Sequence, residues 1–268
     1  AAARLEPAGL DAGISATAVP EQPIPAMAPL VQANLGLGKA GTPAFDVNAT
    51  CLSFLTAFDL AAAWIEAGRA RRILIVSSEV ASRALPWDDD PETAAMFGDG
   101  AAAAIIGKAE AGSGAGLAAV AMRTYSDGYR ACELAAGGTR FDFRAERDLF
   151  ESHATFRMNG PAVYRLSAEV VPPFIHGLLN AAGWTIGDID CVVPHQASRL
   201  GLDHMVRRLG LARGKVIDIL ASHANQIASS LPSALHEAVS SGRLKRGDKV
   251  LMAGTSAGLS VGGMALVY

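Results

Sequence analysis

Apolar residues in this chain fall into separated blocks whose periods alternate between strand-like and helix-like. Residues 27–35 predict a short helix ended by Gly36, and residues 44–47 a short strand. From residue 51 to 67 the chain is almost continuously apolar and dominated by Ala and Leu, which favours a buried helix over a strand. Gly68 supplies its stop, and Arg69, Arg71 and Arg72 suit the negative end of its dipole. Residues 73–76 read as a β-branched buried strand, 100–106 as another apolar run and 116–122 as a further strand. Residues 126–152 are polar and predict a loop or excursion. Residues 163–182 predict a helix that Pro172 and Pro173 should kink or bound. Strands follow at 190–193 and 216–220, helices at 200–209 and 228–240, and strands at 249–253 and 263–268 around a Gly/Ser turn. The alternation β-α-β, repeated twice, predicts α/β layers over a buried sheet.

Composition narrows the function. Half of the residues are hydrophobic, enough to bury a large core. A net charge of −3 and only 6% aromatics argue against nucleic-acid binding, by charge or by base stacking. No apolar run reaches the ~18 residues of a membrane span, and no signal-peptide pattern is present. Cys51, Cys132 and Cys191 cannot all pair within one chain and show no C-x-x-C spacing. This predicts a reducing, cytoplasmic setting with no cysteine metal site. Among the six histidines no metal-ligand spacing stands out.

Three polar residues lie where strands end. Cys51 opens the long apolar helix, where unpaired N–H groups and the helix dipole favour the nucleophilic thiolate. His195 follows strand 190–193, and Asn225 follows strand 216–220 just before a helix. Functional groups gather at the carboxyl ends of strands in open α/β sheets. Each residue alone has a plain alternative: a core cysteine, a surface histidine, an N-cap asparagine. Together they offer an attacking sulfur and two donors for an oxygen that gains charge.

PAFDVNATC at 43–51, FGDGAAAAIIG at 97–107, VVPHQAS at 192–198, HANQIASSLPSAL at 223–235 and GRLKRGD at 242–248 resemble the β-ketoacyl-acyl-carrier-protein synthase III family. The resemblance runs from about residue 24 to 268. It implies a thiolase-like α-β-α-β-α layered fold built from two pseudo-duplicated halves, with the family's amino-terminal part missing. The halves would be residues 1–127, carrying Cys51, and 153–268, carrying His195 and Asn225, with residues 128–152 as the connecting excursion. It also implies roles. Cys51 would take the acyl group of an acyl-CoA, its own N–H and that of Gly258 forming the oxyanion hole. His195 and Asn225 would hold the thioester of malonyl-acyl-carrier protein while carbon dioxide leaves. Ile24 would line an acyl pocket across a homodimer, and Arg165, Arg207 and Arg208 would dock the acidic acyl carrier protein. No metal or tightly bound cofactor, nucleic acid or membrane enters this scheme.

The chain departs from the family pattern at four places. Ala224 replaces a glycine, Ser256-Ala257-Gly258 a triple-glycine turn, and Ile24 a bulky aromatic; Arg199 is displaced by one position. Residues 11–18 are too short to hold the usual strand comfortably. Gly98-Asp99-Gly100 is expected to be a structural turn, Cys132 and Cys191 inert, and His223 structural. Two alternatives stay open: an acyltransferase or specialised-metabolism synthase on the same scaffold, and a non-catalytic partner subunit.

Overall fold

A computed structural model describes residues 5–268, so the first four residues of the expected first half lie outside the described residues. The elements run β1 (Ala12–Ser15), α1 (Met27–Asn34), β2 (Ala44–Asp46), α2 (Ser53–Glu66), β3 (Arg72–Glu79), α3 (Pro91–Ala94) and β4 (Gly100–Gly107). Next come β5 (Gly116–Thr124), β6 (Cys132–Glu133), α4 (Arg147–Ser152), β7 (Arg157–Met158) and α5 (Gly160–Ala182). The chain closes with β8 (Cys191–Pro194), α6 (Arg199–Leu209), α7 (Leu220–His223), α8 (Ser230–Ser240), β9 (Lys249–Ser256) and β10 (Ser260–Val267). One sheet has the order β2-β1-β3-β4, a second β5-β10-β9-β8, and β6 pairs with β7.

The layering follows from the period of two in a strand. In β9, Val250 and Met252 join one core, while Leu251 and Ala253 join another on the opposite face. The first core also takes Phe54, Ala57 and Ala61 from α2 and Leu231, Ala234 and Ala238 from α8. These two helices therefore form the middle layer between the sheets. Alanines at i and i+4 let them approach the sheets closely; α8 touches both β8 and β4. The second core takes Phe174, Leu178 and Leu202 from α5 and α6, which cover the outer face of the second sheet. Helix α1 packs on β1 and β2, outside the first sheet. The result is the expected α-β-α-β-α stack.

Three expectations need correction. Residues 11–18 do hold a strand: β1 is short but lies between β2 and β3, parallel to both. Helix α5 runs unbroken through Pro172 and Pro173. Only two backbone donors are lost there, and burial of Val170, Phe174, Ile175, Leu178 and Leu179 outweighs them. Strand β5, the last strand before residue 127, pairs antiparallel with β10 in the second sheet.

The expected strand at 216–220 shrinks to one bridge, Val192 to Val216. A side chain replaces the rest of its ladder. Gln196 donates Nε2–H to the carbonyls of Pro194 (2.9 Å) and Ile217 (3.2 Å), and its Oε1 accepts the Ile219 N–H (3.2 Å). Gln196 is fully buried, so removing it strands main-chain groups away from water. Gln196→Leu should therefore cost about 3 kcal/mol of unfolding free energy in chemical denaturation. A loss within a few tenths of a kcal/mol would show that the bridge does not depend on it.

Candidate active site

The loop leading to Cys51 is held in a strained turn. Thr50 has φ +52°, a left-handed conformation that a β-branched residue rarely takes. Its neighbours fix it there. The Thr50 N–H donates to Asn48 Oδ1 (2.9 Å), and Ser53 Oγ accepts from the Ala49 N–H (2.9 Å) while donating to the Thr50 carbonyl (2.7 Å). Ser256 Oγ, at the end of β9, donates to the Ala49 carbonyl (3.0 Å) and ties this turn to the other sheet. Cys51 thus begins a helical turn, residues 50–52, that runs into α2.

Its ionisation differs from expectation. Burial pushes the Cys51 thiol up to about 12, with Cys132 and Glu79 adding to the effect. Backbone hydrogen bonds from Ala257 and from Cys51 itself act the other way but do not win. The helix terminus alone does not make a thiolate, because desolvation outweighs it.

His195 emerges from β8 with its N–H on the Ala253 carbonyl (2.8 Å). A Cβ at Gly254 would lie 2.4 Å from His195 Cβ and 3.5 Å from Leu52 Cδ2. Only glycine in β9 therefore admits the histidine beside the residue that follows Cys51. Burial holds the ring down at about 4, so it is neutral at physiological pH, and its Nδ1 is buried without a partner. Among the described residues no hydrogen bond joins His195 to Cys51.

Asn225 is set by the opposite sheet. Its N–H donates to the Met96 carbonyl (2.9 Å) and its carbonyl accepts the Gly98 N–H (3.1 Å). Its Oδ1 accepts from the Ile227 N–H (2.9 Å). The oxygen is thereby engaged and the amide NH2 is left for the cavity. The turn at 98–100 clasps this segment: a Cβ at Gly98 would meet the His223 carbonyl at 2.5 Å, and Gln226 Nε2 donates to the Asp99 carbonyl (2.9 Å). Ala224 sits at φ +54°, ψ −160°, a region essentially reserved for glycine.

Cys51, His195, Asn225 and Gly258 all line one cavity of about 1140 Å³. Gly258, at φ +130°, turns β9 into β10. The other expected residues lie elsewhere. Ile24 is 86% exposed and outside the cavity, although Val19 to Pro23 line it. Arg165 on α5 and Arg207 and Arg208 on α6 are exposed on two helices that pack together, and none has an ion-pair partner among the described residues. Arg199 instead binds Asp218, Nη2 to Oδ1 at 3.0 Å, leaving Leu200 59% exposed at the cavity wall.

Sequence reasoning missed Glu79. It is buried at the end of β3, and its carboxylate accepts the N–H groups of Ala18 (2.6 Å) and Val19 (3.2 Å) and a backbone hydrogen bond from Ala228. Burial raises its pKa to about 7. An acid closing an apolar strand was the available signal. Cys132, set aside as inert, lines the cavity as well.

With this geometry in hand, comparisons with known proteins place the chain. Two family models match: 3-oxoacyl-[acyl-carrier-protein] synthase III over residues 45–128, and its C-terminal region over 179–268. The β-ketoacyl-[acyl-carrier-protein] synthase III of Rhizorhabdus wittichii is 38% identical over 267 residues, covering all of this chain and 80% of the relative. The crystal structure of the Aquifex aeolicus 3-oxoacyl-[acyl-carrier-protein] synthase III superposes with a TM-score of 0.87 at 30% identity, covering 99% of this chain and 80% of that one. The priming β-ketosynthase of the R1128 polyketide pathway superposes at 0.86 with 28% identity, covering 98% and 76%. The chain belongs to the 3-oxoacyl-[acyl-carrier-protein] synthase III family of condensing acyltransferases, with the thiolase fold.

Two predictions follow from the strain and the buried charges. Ala224→Gly should raise the unfolding free energy by about 1 kcal/mol, as relief of strain exceeds glycine's added chain entropy; a loss of stability in urea unfolding would contradict it. The second concerns pH. His195, lowered from 6.5 to about 4, makes stability rise with pH across that window, since there only the unfolded state binds its proton. Glu79, raised from 4.5 to about 7, makes stability fall with pH across its window, since there only the folded state keeps its proton. The two slopes oppose each other where the windows overlap. Glu79→Gln should expose the histidine slope, a gain approaching about 1.4 kcal/mol per pH unit between the two windows' shared limits. An unchanged profile of unfolding free energy against pH would refute the pairing.

Proposed function

We propose that this enzyme performs a decarboxylative Claisen condensation between an acyl-CoA primer and malonyl-acyl-carrier protein, initiating fatty-acid or polyketide synthesis. The observation that carries the reading is the single cavity shared by Cys51, His195 and Asn225. The Cys51 sulfur attacks the acyl-CoA carbonyl, and its proton leaves with the CoA thiol. The Cys51 and Gly258 N–H groups serve as the oxyanion donors in this scheme, with the Ala257 backbone hydrogen bond already at the sulfur. The malonyl thioester then binds, its C–CO2 bond breaks, and the electron pair moves into an enolate. Neutral His195 donates one N–H to the enolate oxygen, and Asn225 donates from the amide that Ile227 has oriented. The enolate carbon attacks the acyl-Cys51 carbonyl and expels the sulfur, which takes a proton from solvent to restore the thiol. Decarboxylation itself generates the carbon nucleophile, so the scheme asks for no metal or tightly bound cofactor.

The unpaired arginines Arg165, Arg207 and Arg208 suit an acidic acyl carrier protein. A homodimer is supported by the exposed apolar Ile24 and Leu30 and by β2, which is the last strand of its sheet. Three free cysteines suit a reducing, cytoplasmic compartment. The division into halves 1–127 and 153–268 joined by residues 128–152 is supported by the two separate sheets, with β5 crossing from the first half to pair in the second sheet.

Intact-protein mass after incubation with an acyl-CoA panel tests the first half-reaction. Cys51→Ala should abolish the adduct. His195→Ala and Asn225→Ala should keep it but lose roughly 100-fold or more in condensation, the scale of a lost oxyanion donor. Ile24, non-aromatic and reaching an acyl pocket only across the proposed homodimer, leads to acceptance of branched or medium chains. Loading at another residue, loss of loading in the His195 or Asn225 variants, or reaction with acetyl alone would each contradict its part.

A further inference from the structure

The cavity wall between α5 and α6 carries a second group of polar side chains that the condensation scheme does not use. Tyr164 and Ser167 lie one turn apart on α5, and His204 faces them from α6; all three line the cavity. The Tyr164 hydroxyl and His204 Nδ1 are 2.8 Å apart, with ring centroids 5.3 Å apart in an edge-on contact. A phenol is the better donor of the two, so Nδ1 accepts and, in the neutral ring, Nε2 carries the proton. That Nε2 is buried and has no partner.

Ser167 Oγ is also buried and without a partner. A serine inside a helix ordinarily donates to a carbonyl three or four residues back, and this one does not. Buried polar groups are almost always satisfied, so two unspent donors in the wall of one large cavity point to a ligand. Their cavity-lining neighbours Val163, Val171 and Met205 offer no competing donor.

We infer that Ser167 and His204 form a two-donor subsite for a hydrogen-bond-accepting oxygen of the thioester substrate, with Tyr164 as the positioning residue that fixes the His204 tautomer. The inference rests on the proposed use of thioesters. The oxygen has two possible sources: the acyl chain itself, or an amide carbonyl of the thioester's arm.

Calorimetric binding to the Cys51→Ala protein separates them without needing turnover. Four probes serve: hexanoyl-CoA, 3-hydroxyhexanoyl-CoA, S-hexanoyl-N-acetylcysteamine and S-butyl thiohexanoate. Ser167→Ala and His204→Phe, each close in shape to the original, should weaken binding of the probes that carry the chain hydroxyl or the arm amide by roughly tenfold, the scale of one lost hydrogen bond. A loss confined to 3-hydroxyhexanoyl-CoA assigns the acyl chain. A loss shared by hexanoyl-CoA and the N-acetylcysteamine thioester, but absent for S-butyl thiohexanoate, assigns the arm. Tyr164→Phe should give a partial loss with the same probe pattern. Unchanged affinities, an equal loss for S-butyl thiohexanoate, or no binding of any probe would overturn the subsite. Failure of the wild-type protein to load Cys51 would overturn the condensation reading instead, and the calorimetry would still report on the subsite.

Discussion

Desolvation is the constraint on which this site depends. Two groups, a thiol of ordinary pKa 9.0 and an imidazole of 6.5, sit in the same cavity wall, and desolvation drives their pKa values apart to about 12 and about 4. Both are therefore uncharged at rest. A neutral imidazole can donate to a developing oxyanion without the cost of burying a cation. A neutral thiol is protected from premature reaction until a substrate's own thioester arrives to receive its electrons.

Keeping such groups together requires backbone compromises. Thr50 and Ile227 adopt left-handed conformations despite β-branched side chains, and Ala224 occupies glycine territory. Thr50 and Ala224 directly precede polar residues of the cavity, Cys51 and Asn225, and Ile227 lies two residues past Asn225. Glycines supply the complementary room: Gly254 for the His195 Cβ, Gly98 for the His223 carbonyl, Gly100 for the Gln226 side chain. The strain is held by hydrogen bonds that cross between the sheets, such as Ser256 to Ala49 and Gln226 to Asp99.

The features legible in the sequence are those set by local period and by strand ends. The repeated β-α-β order of apolar blocks indicated the layers, and strand-end position singled out Cys51, His195 and Asn225. What escaped depends on distant partners. β1 is only four residues long and is a strand because β2 and β3 flank it. The 216–220 strand was lost to one glutamine side chain, and the prolines of α5 were overruled by burial on a sheet. The thiol's ionisation could not be read from its helix position, because it is set by burial in the folded chain, with Cys132 of β6 and Glu79 of β3 raising it further and the Ala257 backbone hydrogen bond lowering it. Tyr164, Ser167 and His204 meet only through the packing of α5 on α6.

The most direct test of this picture is the pH dependence of Cys51 alkylation by iodoacetamide, read by peptide mass so that Cys132 and Cys191 are scored separately. A buried neutral thiol predicts a slow rate that climbs through pH 10 without reaching a plateau, consistent with a pKa of about 12. A plateau reached near pH 8, with fast modification at neutrality, would mean that the helix terminus prevails and that the resting sulfur is a thiolate.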